Sequence, residues 1–102
     1  MACGTPTFNS LTLVSGSNFQ ISFTPASDCG TLTIQYSRNS DFSSPTNNDG
    51  SCTSPRQVDT GDATGVWYFR IRQVCTNTEI SDWSQTRIYN FDCPDCDTNY
   101  LW

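Results

Sequence analysis

The sequence contains no histidine and no lysine, and all five of its basic residues are arginines. Histidine is the most common general base in enzymes and lysine the usual amine nucleophile, so we expect no enzyme and no cofactor. Ten acidic residues bring the net charge to −5, which disfavours nucleic acid as a partner through repulsion from phosphate. No apolar run approaches the roughly 18 residues of a membrane-spanning helix. The N-terminal MACGTPTFNSLTL has neither the basic start nor the apolar core of a secretory signal.

A segment from Gly65 to Phe91, GVWYFRIRQVCTNTEISDWSQTRIYNF, has the pattern of a β-hairpin. Its first strand is rich in aromatic and β-branched residues and is not interrupted by Pro or Gly between Val66 and Cys75. Apolar residues alternate there with polar ones: Trp67, Phe69 and Ile71 against Tyr68, Arg70 and Arg72. The sequence therefore predicts one buried face and one face that carries two guanidinium groups.

Earlier in the chain, shorter alternating segments predict further strands. They cover Phe8 to Val14, Phe19 to Phe23, Leu32 to Tyr36, and Arg56 to Thr60. Between the last two, Asn39 to Pro55 is dominated by Ser, Asn, Asp, Gly and Pro. This composition predicts a loop with space for one short edge strand, and a segment that is mobile until a partner orders it. No helical periodicity and no internal repeat occur.

The hairpin resembles the last two strands, F and G, of fibronectin type III domains. In that family an aromatic strand of the form Tyr/Trp-x-Phe-Arg-Val-Arg is followed by a polar loop and a Ser-Asp/Glu-Trp-Ser motif. Trp67 to Arg72 and Ser81 to Ser84 match these elements, and Ile34 to Ser37 resembles strand C of bacterial and phage members. The resemblance implies an all-β, seven-stranded antiparallel β-sandwich of the immunoglobulin-like type over residues 1–92, with residues 93–102 as a C-terminal tail.

Two side chains have roles that the resemblance implies. Trp83 is expected to stack beside Arg70 or Arg72 in a cation–π contact. Trp67 falls at the position of the family's corner tyrosine. An indole fills the same volume but cannot donate the same phenolic hydrogen bond.

Four of the six cysteines would converge at one pole of such a sandwich, because the chain start and the B–C, C′–E and F–G loops meet there. They are Cys3, Cys29, Cys52 and Cys75. Three chemistries remain open for them: two disulfides, each contributing about 3–4 kcal/mol, free buried thiols, or a four-cysteine zinc site. Their spacing matches no established zinc motif.

Cys93 and Cys96 form a Cys-x-x-Cys motif at the opposite pole. Only six residues follow it, too few for the helix that activates the thiol of a redox enzyme. A local disulfide or half of a metal site is the better interpretation, so all six cysteines are disulfide candidates. The last three residues, Tyr100, Leu101 and Trp102, form an apolar cluster with no place in the family's core, and we expect them to bind a partner.

These features favour a non-enzymatic structural or interaction protein that docks on a larger protein assembly, and specifically a bacteriophage virion component. A decoration protein on the capsid lattice or a fibre-associated protein, assembled in the host cytoplasm, would match a whole reading frame of one domain without an export signal. The absence of any Asn-x-Ser/Thr sequon disfavours a eukaryotic secreted origin. The alternative is an extracellular spacer or carbohydrate-binding module, with a surface glycan as ligand, from a secreted bacterial surface protein or glycoside hydrolase.

Overall fold

The computed structural model describes residues 4–62 and 64–90. Within them seven strands form two antiparallel sheets, and no helix long and apolar enough to cross a membrane is present in this part of the chain. The strands are β1 (Thr7–Ser15), β2 (Asn18–Thr24), β3 (Cys29–Ser37), β4 (Thr46–Gly50), β5 (Arg56–Asp59), β6 (Val66–Cys75) and β7 (Arg87–Asn90). One sheet has the order β1-β2-β5 and the other β4-β3-β6-β7. The predicted seven-stranded antiparallel sandwich is confirmed.

The core lies between the two sheets and consists mainly of rings. Strand β6 alternates strictly between buried and half-buried residues, which confirms the predicted alternation. Phe69 is fully buried, and its ring lies 5.1 Å from that of Phe19, which in turn contacts Tyr89 at 4.9 Å. Tilted and edge-on pairs of this kind are favourable beyond their buried area.

Strand β4 lies inside Asn39 to Pro55, where the sequence predicted a loop with space for one short edge strand, and β4 is such an edge strand. It pairs with β3 over five residues at the edge of the four-stranded sheet. Its side chains bond across the sheet, since Gln35 donates to the side-chain oxygen of Asn47 at 2.9 Å and Thr33 donates to Asp49 at 2.6 Å. The expectation that Asn39 to Pro55 stays mobile as a whole is therefore wrong for residues 46–50. Residues with low strand propensity pair here because a central strand offers them partners.

The second strand of the predicted hairpin is shorter than the sequence indicated. Ile80 forms only an isolated bridge with Val74, and regular pairing of β7 with β6 begins at Arg87. The predicted end of this strand at Phe91 lies outside the described residues.

Candidate interaction surfaces

The outer face of the four-stranded sheet carries a stack of arginines and aromatic rings. The guanidinium carbon of Arg70 lies 4.1 Å from the ring centre of Phe42 and 4.2 Å from that of Trp83. The guanidinium carbon of Arg72 also lies 4.2 Å from the Trp83 ring. We call these four residues the arginine–aromatic stack. Trp83 was predicted to contact Arg70 or Arg72, and it contacts both.

Two serines hold Trp83 in this position. Ser81 and Ser84 lie three residues apart, and each pairs with the main chain of β6 through its own N–H and hydroxyl. The N–H of Ser84 donates to the carbonyl of Ile71 at 2.7 Å, and its hydroxyl accepts from the Ile71 N–H at 3.0 Å. Ser81 makes the same two bonds with Gln73, at 2.9 and 3.0 Å. The irregular segment before β7 is thereby fixed against β6 without regular strand pairing.

Within the stack, Arg70 contacts two rings and Arg72 contacts one. The Nε of Arg70 donates to the side-chain oxygen of Gln35 at 2.7 Å, which continues the polar row towards Asn47 of β4. Burial, and secondarily the positive charge of Arg72, lowers the pKa of Arg70 from its ordinary value. Two guanidinium groups therefore lie close together on the outer face of an acidic protein.

The three other arginines connect separate segments of the chain by donating hydrogen bonds to main-chain carbonyls. Arg38 donates to the carbonyls of residues 62, 64 and 66 and pairs with the carboxylate of Asp62 at 3.5 Å. Arg56 of β5 reaches across to the carbonyl of Leu32 at 2.7 Å, and burial lowers its pKa. Arg87 donates to the carbonyls of residues 8 and 9, each at 3.0 Å.

A groove of about 300 Å³ opens between the start of β1 and the segment before β7. Its described lining consists of Thr5, Pro6, Thr7, Phe8, Trp83, Ser84 and Gln85. Trp83 therefore belongs both to the arginine–aromatic stack and to this groove. None of these lining side chains is an acid, an imidazole, an amine or a thiol.

Three of the four cysteines assigned to one pole are described, and they lie together there. Cys29 and Cys52 form a disulfide with Cα atoms 6.3 Å apart, and Cys29 is the register partner of Cys75 across β3 and β6. Cys75 is disulfide-bonded as well and accepts a hydrogen bond from Gln73 at 3.1 Å. Cys29 and Cys52 are thus neither free thiols nor zinc ligands here, and no group of metal-binding side chains occurs in the described residues.

The remaining predicted site residues lie outside the described part of the chain. These are Cys3, Cys93, Cys96, Tyr100, Leu101 and Trp102.

Three features of the outer face were not found from the sequence. Phe42 lies in the segment predicted as a loop, and its ring covers Arg70 from a left-handed backbone conformation (φ 58°) that bulky residues seldom adopt. The Val74–Ile80 bridge and the groove beside Trp83 depend on how the segment before β7 meets the sheet, which no local pattern encodes. The one sequence feature that pointed to this surface was the predicted outward position of Arg72 in β6.

Comparison with known proteins supports the architecture alone. No protein-family profile matches the chain, and no curated protein matches it in sequence. Among solved structures, the chain is similar to an Fn3-like protein from Clostridium thermocellum, with a TM-score of 0.71 and 24% sequence identity. The match covers 86% of this chain and 92% of the other. Together with the two-sheet topology, this similarity identifies the fold of the chain as a fibronectin type III-like β-sandwich.

Proposed function

We propose that this chain is a non-enzymatic interaction domain that docks on a larger protein assembly. The observation that carries the proposal is the composition of the groove beside Trp83. Hydroxyl, amide, proline and aromatic side chains line it, and these groups supply contacts and hydrogen bonds but no general acid or base. The lack of histidine and lysine in the whole sequence agrees with this function.

The position of the groove also favours a protein ligand. It lies between the outer edges of the two sheets, beside β1, which is an edge strand. Edge strands present main-chain groups to which an extended segment of another protein can bond, and a half-buried Trp is a favourable anchor at an interface. The terminal cluster Tyr100, Leu101 and Trp102, outside the described residues, remains predicted as a second contact.

Within this general function, the finer proposal is a bacteriophage virion component, either a capsid decoration protein or a fibre-associated protein. The sequence arguments for it are a single adhesive-type domain and a polar surface without lysine. Disulfides persist in oxidising surroundings, so the Cys29–Cys52 bond is better suited to a released particle than to the host cytoplasm in which it would assemble. The same bond suits the extracellular alternative, a spacer or carbohydrate-binding module of a secreted bacterial protein.

Site-specific photo-crosslinking tests the proposal. A photoreactive phenylalanine analogue replaces Gln85 in the groove and, as a matched control, Thr12, which is exposed on β1 away from it. We expect the Gln85 variant to crosslink one defined protein in cells that express the chain at its natural level, and the Thr12 variant to crosslink none. Crosslinks to a capsid or fibre protein that co-sediments with particles support the virion role.

Two outcomes contradict parts of the proposal. Absence of any crosslink from Gln85, with the variant still folded, overturns docking through the groove. Binding to an array of neutral glycans that is lost when Trp83 is replaced by Ala, without any protein crosslink, establishes the carbohydrate-binding alternative instead.

A further inference from the structure

Arg72 differs from the other four arginines in its hydrogen bonding. Arg38, Arg56 and Arg87 donate to main-chain carbonyls, and Arg70 donates to Gln35. Arg72 has no hydrogen bond and no ion pair with any described residue, and its one specific contact is the face of Trp83 at 4.2 Å. A guanidinium carries five N–H donors in its plane. Because the indole covers a face of this group, its donor edges are left for an acceptor from outside.

The position of Arg72 is fixed before any ligand arrives. Trp83, on which it stacks, is held by the paired hydrogen bonds of Ser81 and Ser84 with β6. An immobilised guanidinium has already lost much of the rotamer freedom that binding would otherwise remove. This kind of preorganisation favours bidentate recognition of a planar anion, of which the carboxylate is the commonest on proteins.

The charges around Arg72 favour one carboxylate rather than a polyanion. Arg70 lies next to it, since both guanidinium groups contact the ring of Trp83, and two neighbouring cations repel each other. One incoming carboxylate offsets this repulsion. Thr33 of β3 lies between Arg72 of β6 and Asp49 of β4 and is the register partner of both. Its hydroxyl donates to the carboxylate of Asp49. That carboxylate and the net charge of −5 repel a densely charged phosphate or sulfate chain.

Apolar side chains continue the surface beyond Arg72. Val74 is the next outward residue of β6 and is half-buried. Ile80 forms a bridge with Val74, which places the two side chains on the same face, and it is 52% exposed. Val74 and Ile80 thus add apolar surface to the outer face of β6 on the side of Arg72 that leads to the end of the strand.

From these observations we infer that Arg72, Trp83, Val74 and Ile80 form a docking patch for a protein segment that carries one Asp or Glu beside an apolar residue. The chemistry of this Arg72 patch defines the kind of partner segment that it binds. The inference rests on the proposed function as an interaction domain. The carboxylate bonds to the donor edge of Arg72, and the apolar neighbour covers Val74 and Ile80.

NMR titration of the whole protein tests the patch with two peptides, acetyl-Leu-Asp-Leu-amide and its matched control acetyl-Leu-Asn-Leu-amide. We expect the Asp peptide to shift the Arg72 Nε–H signal and the amide signal of Ile80 saturably, with a dissociation constant on the order of millimolar. The Asn peptide should bind about tenfold more weakly, since it lacks the charge-assisted bond.

Variants separate the patch from general effects on folding. Arg72→Gln should abolish the preference for Asp over Asn, whereas Arg72→Lys should keep part of it because the charge remains but the planar fork is lost. Ile80→Ser should weaken binding of both peptides alike. Thr12→Ala, on the other sheet, is the control and should bind as the unmodified protein does. Unchanged amide spectra away from the patch verify that each variant is folded.

Three results overturn the inference: no saturable shift, equal binding of the Asp and Asn peptides, or an Asp preference that survives in Arg72→Gln. Tighter binding of trigalacturonate than of the Asp peptide also overturns it, in favour of an acidic glycan. If the Gln85 crosslink persists while these titrations fail, the patch is wrong and the proposed function stands. If the titrations succeed without any crosslink, the patch stands and docking through the groove does not.

Discussion

The indole Nε1 of Trp67 donates a 2.7 Å hydrogen bond to the main-chain carbonyl of Asp62, five residues earlier in the chain. The same oxygen accepts bonds from Thr60 at 3.1 Å and from the guanidinium of Arg38 at 3.2 Å. Arg38 also lies over the Trp67 ring, 3.9 Å from its centre. An indole thus does here what a corner tyrosine does elsewhere, since it ties the start of β6 back to the preceding loop. Trp67 cannot donate a phenolic bond, but it supplies a different one.

Replacing Trp67 should show how much this corner contributes. Trp67→Phe removes the donor and part of the buried ring, and should lower the free energy of unfolding by about 2–3 kcal/mol. Trp67→Tyr should cost less if its hydroxyl reaches the same carbonyl. Urea unfolding measures both, with Tyr68→Phe on the outer face as the control, for which we expect a change below about 0.5 kcal/mol. Equal losses for Phe and Tyr would argue that ring volume alone stabilises the corner.

Phe69 and Arg70 test the two faces of β6. Phe69→Ala should cost roughly 3–5 kcal/mol, because a fully buried ring leaves a cavity. Arg70→Ala should cost less, about 1–2 kcal/mol, since it removes the Gln35 hydrogen bond and stacking on two rings but opens no internal cavity. Urea melts of the two variants compare these losses. Losses of equal size would contradict the assignment of the faces.

Removing the Cys29–Cys52 disulfide should destabilise the domain without changing its fold. The bond closes a loop with a sequence separation of 23, for which chain entropy predicts a contribution of about 3 kcal/mol. The double variant Cys29→Ser and Cys52→Ser should therefore unfold at lower urea with an unchanged amide spectrum. Mass spectrometry of the unreduced, alkylated protein checks the pairing. Rapid alkylation of both thiols in the native protein would refute it.

Stability should fall in acid because several carboxyl groups have lowered pKa values. The Ser17 hydroxyl and then the Gly61 N–H lower the pKa of Asp59 below 3.8, and Thr64, followed by the charge of Arg38, lowers that of Asp62. A lowered folded-state pKa contributes stability above the unfolded value, and this contribution is lost as the pH falls through the folded value.

The unfolding free energy should accordingly decline below a pH of about 4. Urea melts at a series of pH values measure the slope, and replacing both Asp59 and Asp62 by Asn should make it shallower. A slope that is identical in the double variant would show that other groups govern the acid transition.

Deleting Asn99 to Trp102 tests the predicted role of the C-terminal cluster. We expect the melting temperature to stay nearly unchanged, because the resemblance to fibronectin type III domains gives these residues no place in the core. Co-sedimentation with the partner assembly should be lost, since Tyr and Trp are favourable interface anchors. A large drop in melting temperature would place the cluster in the domain's own core. Unchanged co-sedimentation would remove it from the interface.

The strands of this domain were predictable wherever one face is buried. Alternation in β2 and β6 reports directly which side chains lose contact with water, and that information is local to each strand. In β3 the sequence alternates as well, but its polar residues Thr33 and Gln35 are buried beside the apolar ones. The first strand of the hairpin from Gly65 onward was predictable from this local alternation. The partner strand and the stacking of Trp83 with the arginines came from the resemblance to fibronectin type III domains.

Tertiary structure decided what depends on distant parts of the chain. Strand β4 has no apolar alternation and exists because β3 offers it hydrogen-bond partners, and Arg56 finds its acceptor at Leu32, 24 residues away. The sequence likewise does not show that Arg72 has no hydrogen-bond partner among the described residues, because Arg70 and Arg72 occupy equivalent positions in the alternating pattern of β6. Composition and alternation indicate which apolar residues are buried. The burial of polar residues such as Gln35 and Gln73, and the acceptor that each polar side chain meets, are set only when the two sheets and their loops pack together.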